Sequence, residues 1–321
     1  MLETFDVMSK DENNFLNACL YGKICIIKKL IDKVNINVQD KEEGYTPLMN
    51  AIIARSIEAV KILLEHKADV TEIKDKRGRN AFFLAASLNE LEILKLFEKY
   101  NPDFNTVDND GSTILFYTRK KETIDYLLKN GTDINKKNKY GMTILIENSL
   151  YYENQNFIKF LVVKGADINA QNNEGLTTLM LAVKNDRTEI IDLCLSAKAD
   201  PNIKDNEGKT ALFYTISSIS NLENVKLMTE NIPIYRIDQK KIKATNAADR
   251  LIKLLVYNGA DINAQDNRGN TLLMYAMILC NEPIIDRILK LNPNLNIKNK
   301  EGKTAKDMAK NYIYKFRRFM Y

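Results

Sequence analysis

A short phrase centred on glycine recurs along this chain and constrains its fold more than any other feature. Clear copies are DKEEGYTPLMNA, NNEGLTTLMLA, DNEGKTALFYT and DNRGNTLLMYA, which begin at residues 40, 172, 205 and 266. The glycines of the eight copies are Gly44, Gly78, Gly111, Gly141, Gly175, Gly208, Gly269 and Gly302, and successive glycines lie 34, 33, 30, 34, 33, 61 and 33 residues apart. A period of about 33 residues predicts a solenoid of helix pairs, in which each unit packs on its neighbours.

Each copy carries the signals of a turn followed by two helices. Polar residues before Gly175 favour a turn with a positive φ, and Thr177 stands where its hydroxyl can cap a first helix. Residues 189–195 then place apolar side chains at helical spacing, and a Gly-Ala-Asp or Ala-Asp sequence predicts the helix end. The equivalent capping threonines in the other copies are Thr46, Thr113, Thr143, Thr210, Thr271 and Thr304.

The combined pattern resembles the ankyrin repeat. Its marks are the phrase Gly-x-Thr-Pro-Leu-x-x-Ala and a second helix that ends Leu-Leu-x-x-Gly-Ala-Asp-Ile-Asn, found from about residue 12 to residue 309. The resemblance implies an all-α solenoid of stacked helix-turn-helix units with projecting loops or β-hairpins, in which loops and first helices line a groove. It also implies one domain over 1–321, with an N-terminal capping repeat at 1–40, regular repeats at 41–220 and 250–303, and a C-terminal capping helix at 304–321.

Three departures from the family pattern are visible. The histidine that the family favours after Thr-Pro-Leu is replaced by apolar residues such as Met49 and Phe83, so we expect a looser row of loops. The 30-residue step predicts a trimmed connection between the two helices of the copy opened by Gly111. The 61-residue step exceeds the period by 28 residues, so residues 221–249 form either an insertion or a degenerate repeat. Residues 238–247 fit a degenerate first helix, which favours the second alternative.

The composition predicts a protein without a membrane span or a polyanion partner. The 47 basic and 42 acidic side chains leave a net charge of only +5, and opposite charges alternate along most repeats, which disfavours nucleic-acid binding. No stretch approaches the roughly 18 apolar residues that cross a bilayer, and the N-terminus lacks a signal-peptide pattern. We expect a cytoplasmic chain, or one delivered into a host cell by a route that the sequence does not reveal. The scattered Cys19, Cys25, Cys194 and Cys280 predict buried, reduced thiols.

The sequence shows no recognisable motif for catalysis or metal binding. His66 is the sole histidine and has no Cys or His partner at metal-ligand spacing, which predicts a surface residue and no metal site. The sequence contains no nucleophile elbow, phosphate-binding loop or dinucleotide-binding motif. We therefore expect neither enzymatic activity nor a cofactor.

The resemblance implies a non-catalytic protein-protein interaction module, which we expect to be a monomer that binds a partner protein in its groove. Two alternatives remain open: an effector delivered into a host cell, and an inhibitor or regulator of a partner enzyme. The basic, aromatic stretch at 312–321 is either a closing helix or a contact for an anionic partner. The predicted partner-binding residues beside the glycines and at the ends of first helices are Tyr45, Arg77, Arg79, Lys120, Lys121, Tyr140, Tyr151, Lys184 and Arg268, and those in the basic segment 235–243 are Tyr235, Arg236, Lys240 and Lys241.

Overall fold

The computed structural model describes residues 8–150, 155–216, 239–279 and 281–309, without the side chains of 239–244 and 309. Within these ranges the chain is helical, and isolated antiparallel bridges at Val107–Thr113 and Gln171–Thr177 are its only extended pairings. The predicted all-α repeat fold is therefore confirmed. The chain divides into two compact units, Met1–Lys139 and Tyr140–Tyr321, and each is described by itself below. The single domain over 1–321 stays a prediction.

In the first unit, helices from successive repeats pack in two rows. The first helices α1, α3 and α5 contact one another in order, and the second helices α2, α4 and α6 do the same. Phe15, Phe82, Phe83 and Phe97 are fully buried in the core. The helices are α1 Lys10–Leu20, α2 Ile24–Leu30, α3 Pro47–Ile53, α4 Ile57–Glu65, α5 Ala81–Ser87, α6 Leu91–Phe97 and α7 Lys121–Lys129, with a 3₁₀ turn at Ile114–Phe116.

The second unit repeats this arrangement. Its first helices α8, α10 and α12 pack in sequence, and α9 contacts α11 in the second row. The helices are α8 Ile144–Ser149, α9 Gln155–Val163, α10 Thr178–Lys184, α11 Thr188–Ser196, α12 Ala211–Tyr214, α13 Gln239–Tyr257, α14 Leu272–Ile278, α15 Glu282–Leu289 and α16 Ala305–Ala309.

Threonine caps begin most of the first helices, as the sequence predicts. The hydroxyl of Thr177 accepts the backbone N–H of Met180 at 3.3 Å, which satisfies one of the helix's unpaired donors. Thr113 and Thr210 make no such bond, and they precede the shortest first helices, of three and four residues. Capping bonds equivalent to that of Thr177 are made by Thr46, Thr143, Thr271 and Thr304.

The shortened repeat at Gly111 has lost part of its first helix rather than its connection, which corrects the prediction. Helix α10 in the Gly175 repeat has seven residues, whereas the Gly111 repeat has only the 3₁₀ turn Ile114–Phe116. The link that follows, residues 117–120, is one residue longer than links such as 54–56 and 185–187. A guanidinium nitrogen of Arg119 donates to the carbonyl oxygen of Phe116 at 2.9 Å. This bond gives a partner to the last carbonyl group of the short turn.

The described loops on either side of the 61-residue step are direct neighbours, which disfavours the preferred degenerate repeat between them. The backbone N–H of Asn267 donates to the carbonyl oxygen of Glu207 at 2.9 Å, so these two loops are direct neighbours. An intervening repeat would have placed its own loop between them. Helix α13 is also one continuous helix where the degenerate repeat needed two. The helix expected at 222–230 lies outside the described residues.

The cysteine prediction holds for two thiols and fails for one. Cys19 and Cys194 are buried, and burial raises the pKa of each thiol to about 12. Cys25 is exposed, because it lies on the outer side of α2 while Ile27 and Leu30 face the core. Cys280 lies outside the described residues.

Candidate protein-binding surface

A ladder of backbone hydrogen bonds joins the repeat loops of each unit. The donor is the backbone N–H of the residue two positions before a repeat's glycine. The acceptor is the carbonyl oxygen of the residue immediately before the glycine of the preceding repeat. We call the two positions before each glycine the loop tip. In the first unit the bonds are Lys76 to Glu43 at 2.9 Å, Asn109 to Arg77 at 2.8 Å and Lys139 to Asp110 at 2.9 Å. In the second unit they are Asn173 to Tyr140 at 3.2 Å, Asn206 to Glu174 at 3.1 Å, Asn267 to Glu207 at 2.9 Å and Lys300 to Arg268 at 2.9 Å. The tips of each unit are therefore held in register.

An Asp or Asn three residues before the glycine shapes six of the repeat loops internally. The Oδ1 atom of Asp75 accepts the N–H groups of Arg77 at 2.9 Å and Arg79 at 2.8 Å. Such side-chain bonds to nearby backbone define Asx turns, which explains why the phrase starts with Asp or Asn. The same pair of bonds is made by Asp108, Asn172, Asp205, Asp266 and Asn299.

Tyrosine hydroxyls tie three first helices to their loops, a feature that the sequence reading missed. The hydroxyl of Tyr275 donates to Oδ2 of Asp266 at 2.6 Å, and that of Tyr117 donates to Asp108 at 2.5 Å. Tyr214 makes the same bond to Asp205. The absent histidine therefore does not leave these loops without a tie to their helices. The available signal was a tyrosine nine residues after the loop Asp.

Burial and the carboxylate together hold the protons on these tyrosines. Burial, followed by the hydrogen bond to Asp266, raises the pKa of Tyr275 to about 12. Burial, and then the bonds to Asp108 and Asp205, raise the pKa of Tyr117 and Tyr214 in the same way. Because the pKa is raised in the folded state, this stabilisation is complete below the ordinary tyrosine pKa of about 10. It is lost as the pH rises from there through the folded pKa.

Replacing Tyr275 by Phe should lower the free energy of unfolding by about 1–2 kcal/mol at pH 7, since Asp266 loses a donor. The variant should also lose less stability than the parent between pH 10 and about 12. Urea unfolding followed by circular dichroism at pH 7, 10 and 11 measures both effects. Tyr257→Phe is the control because Tyr257 is 91% exposed. Equal losses in the two variants would contradict the role of the Tyr275 hydroxyl.

Arg79, a predicted partner-binding residue, is buried in the first unit. Its side chain is 9% exposed, and its guanidinium contacts Oδ2 of Asp75 at 2.7 Å and 2.8 Å. It also donates to the hydroxyl of Tyr45 at 3.2 Å. Burial alone would lower the pKa of Arg79, but the hydrogen bond and the charge of Asp75 outweigh it and raise that pKa. Arg79 therefore stabilises the loop, and its guanidinium is not presented to a partner.

The other predicted residues in the first unit lie at or near the surface. Arg77 occupies a loop tip with its side chain 66% exposed and 3.8 Å from Glu43. Tyr45 is half-buried over Arg79. Lys120 and Lys121 are exposed at the start of α7.

In the second unit, three predicted residues are exposed. Tyr140 and Arg268 occupy loop tips, and Tyr140 is 56% exposed. Lys184 ends α10, and its ammonium lies 5.8 Å from the ring centroid of Tyr214. Tyr151, Tyr235 and Arg236 lie outside the described residues, and Lys240 and Lys241 belong to α13, where their side chains are not described.

Neither a metal centre nor a membrane span is found in the part of the chain that the structure describes. No group of three His, Cys, Asp or Glu side chains could hold a metal ion there, and no helix there is long and apolar enough to cross a membrane. His66 is partly exposed at the end of α4, where Nδ1 lies 2.8 Å from the carbonyl oxygen of Ile62. Its position agrees with the predicted surface role.

Stacked helix pairs whose loops are joined by a ladder of hydrogen bonds define a helical repeat protein. A family model described as "Ankyrin repeats (3 copies)" matches residues 15–108, 96–172 and 149–240. The chain belongs to the ankyrin repeat family, and ankyrin repeats are protein-interaction modules.

Relatives of viral and bacterial origin share this repeat pattern. Ankyrin repeat protein L86 of Acanthamoeba polyphaga mimivirus is 31% identical over 267 residues, which cover 77% of this chain and 38% of the relative. Protein L371 of the same virus is 28% identical over 240 residues, which cover 68% of this chain and 30% of the relative. An ankyrin repeat protein of Rickettsia felis is 30% identical over 133 residues, or 40% of this chain and 43% of the relative. The chain thus spans less than half the length of each.

Two solved structures resemble the fold. The ankyrin repeat domain of Bcl-3 gives a TM-score of 0.56 at 22% identity and covers 63% of this chain and 92% of its own. A chain in the structure of the Bd0816 predatory endopeptidase from Bdellovibrio bacteriovorus in complex with immunity protein Bd3460 gives a TM-score of 0.51 at 28% identity. That match covers 59% of this chain and 98% of the other.

Proposed function

We propose that this chain is a non-catalytic module that binds a partner protein through its loop tips and the adjoining ends of its first helices. The observation that carries the proposal is the ladder of backbone hydrogen bonds, which holds exposed tip side chains in register before any partner arrives. A surface that is already ordered loses less conformational entropy on binding.

The exposed tip residues are also of the types found at the centres of protein-protein interfaces. Tyr and Arg are enriched among the residues that contribute most to binding, and Arg77, Tyr140 and Arg268 are the exposed examples at the tips. Each unit also has an acidic tip, Glu43 in the first and Glu174 in the second, so the tips of each unit suit a partner with a mixed, complementary charge pattern. Lys120, Lys121 and Lys184 extend this proposed surface onto the helix ends.

The triple substitution R77A/Y140A/R268A should weaken partner binding at least about tenfold. The partner is first identified by affinity capture from the source cell, and from a host cell where one exists, with mass spectrometry. Surface plasmon resonance then compares the variants on the purified partner. Tyr45 is left intact because its hydroxyl contacts Arg79.

The matched control for these substitutions lies on the second helices. Y257A/K61A/K95A removes one exposed tyrosine and two exposed basic residues away from the loop tips. We expect it to retain binding within about twofold of the parent, as surface substitutions outside an interface do. Unchanged capture by the loop-tip variant would exclude the proposed surface.

A second candidate function is inhibition of a partner enzyme. It is favoured by the 28% identity to a chain from an endopeptidase–immunity protein complex, which covers 98% of that chain. An interaction surface needs only to cover an active site to inhibit. To separate inhibition from scaffolding, the activity of a captured enzyme is measured with and without a stoichiometric amount of this chain. An unchanged rate would exclude inhibition of that enzyme.

A further inference from the structure

Three lysines of the second unit line one cavity between neighbouring loops. Lys204 comes from the loop before Gly208, and Lys298 and Lys300 come from the loop before Gly302. Gln265, Asp266, Asn267 and Gly269 of the intervening loop, together with Asn299, complete the lining. The cavity is open to solvent and measures about 390 Å³. We call it the lysine cavity.

Hydrogen bonds between the loops fix the positions of these lysines. The side-chain amide of Gln265 donates to the carbonyl oxygens of Gly269 at 2.6 Å and Lys298 at 3.2 Å. The backbone N–H of Lys300 donates to Arg268 at 2.9 Å. The ammonium of Lys204 donates to the carbonyl oxygen of Gln265 at 2.8 Å, which holds it at the edge of the cavity.

The lysine cavity carries an excess of positive charge. All three lysines are exposed, and within the described ranges none of them forms an ion pair. By contrast, Lys209 and Lys303 in the same two loops pair with Glu207 and Glu301.

The acidic residue that lines the cavity directs its carboxylate oxygens into its own loop. Oδ1 of Asp266 accepts the N–H groups of Arg268 at 2.9 Å and Asn270 at 2.8 Å, and Oδ2 accepts the hydroxyl of Tyr275. Asp266 is 7% exposed. Its bonding capacity is thus used internally, and the three ammonium groups are available to an incoming anion.

We propose that the lysine cavity binds an acidic segment of the partner protein, with two or three carboxylates meeting the ammonium groups of Lys204, Lys298 and Lys300. This inference rests on the proposed function and adds the chemistry of the partner. Lysine offers compact point charges that suit separate carboxylates on a flexible peptide. None of the described lining residues is aromatic, so the bases of a nucleic acid would find no stacking platform.

The test uses a fluorescein-labelled decaglutamate peptide and fluorescence anisotropy with the full chain. The site variant K204Q/K298Q/K300Q should bind the peptide at least about tenfold more weakly than the parent, and its affinity should depend less on salt. The control variant K209Q/K253Q/K303Q removes the same charge from lysines that already pair with Glu207, Asp249 and Glu301. We expect the control to stay within about twofold of the parent, since surface ion pairs contribute little.

Each remaining outcome has a defined meaning. Equal weakening in both variants would show a net-charge effect and overturn the site. Tighter binding of a ten-nucleotide single-stranded DNA than of decaglutamate, lost in the site variant, would assign the cavity to nucleic acid instead. If the site variant holds the native partner as tightly as the parent does, the cavity has no role in that complex while the proposed function stands. Failure of the proposed function itself would appear as unchanged capture by R77A/Y140A/R268A.

Discussion

Replacing Arg79 by alanine should destabilise the first unit by about 3 kcal/mol, because it strips a buried carboxylate of its charge partner. The Asp75 side chain is 1% exposed, and Oδ2 receives its hydrogen bonds from the Arg79 guanidinium. No solvent reaches this carboxylate to replace them. The substitution also removes the bond from Arg79 to the hydroxyl of Tyr45 in the preceding loop, so the loss is shared by two repeats.

Arg77→Ala is the matched control for this prediction. Arg77 lies two residues before Arg79 in the same loop, but its side chain is 66% exposed and 3.8 Å from Glu43. We expect a loss below about 0.5 kcal/mol, as for other surface ion pairs. Urea unfolding at pH 7, with hydrogen exchange of the amides in residues 40–80, measures both variants. Similar losses would mean that burial of the Arg79–Asp75 pair does not matter for stability.

This pair of arginines shows why the fold was easier to predict than the binding surface. The fold follows from signals that repeat in every copy: the glycine, the capping Thr and the apolar spacing of two helices. Whether an arginine faces inward depends on side-chain contacts that differ from copy to copy. Oδ2 of Asp75 and the hydroxyl of Tyr45 bond Arg79. In the Gly208 loop, Oδ2 of Asp205 bonds Tyr214 instead, and Lys209, at the same offset from its glycine, pairs with Glu207 near the surface.

The lysine cavity was missed for a related reason. Its lysines come from loops more than 90 residues apart in sequence, and they meet because the loops before Gly208 and Gly269 are direct neighbours. Periodicity alone left the number of repeats between Gly208 and Gly269 open. The neighbouring loops, bonded through Asn267 and Glu207, decide that number.

Replacing Gly175 by alanine should destabilise the second unit by about 3 kcal/mol or more, because the loops approach too closely at this point for a side chain. A Cβ at Gly175 would lie 2.7 Å from the backbone nitrogen of Asn206 and 2.8 Å from Cα of Asp205. Backbone atoms of a bonded loop cannot move aside without breaking the ladder. The clash contributes about 1–3 kcal/mol, and the left-handed backbone, with φ of +78°, about 1–2 kcal/mol more.

Gly302→Ala separates these two contributions. Gly302 has nearly the same φ, +75°, but a Cβ there would meet no atom of the described structure within 4 Å. This variant should therefore lose only the conformational cost, about 1–2 kcal/mol, in urea unfolding followed by circular dichroism. The difference between the two variants measures the close approach of neighbouring loops. If both lost the same amount, Gly175 would be required for its backbone conformation alone, and the ladder would tolerate a side chain at that glycine.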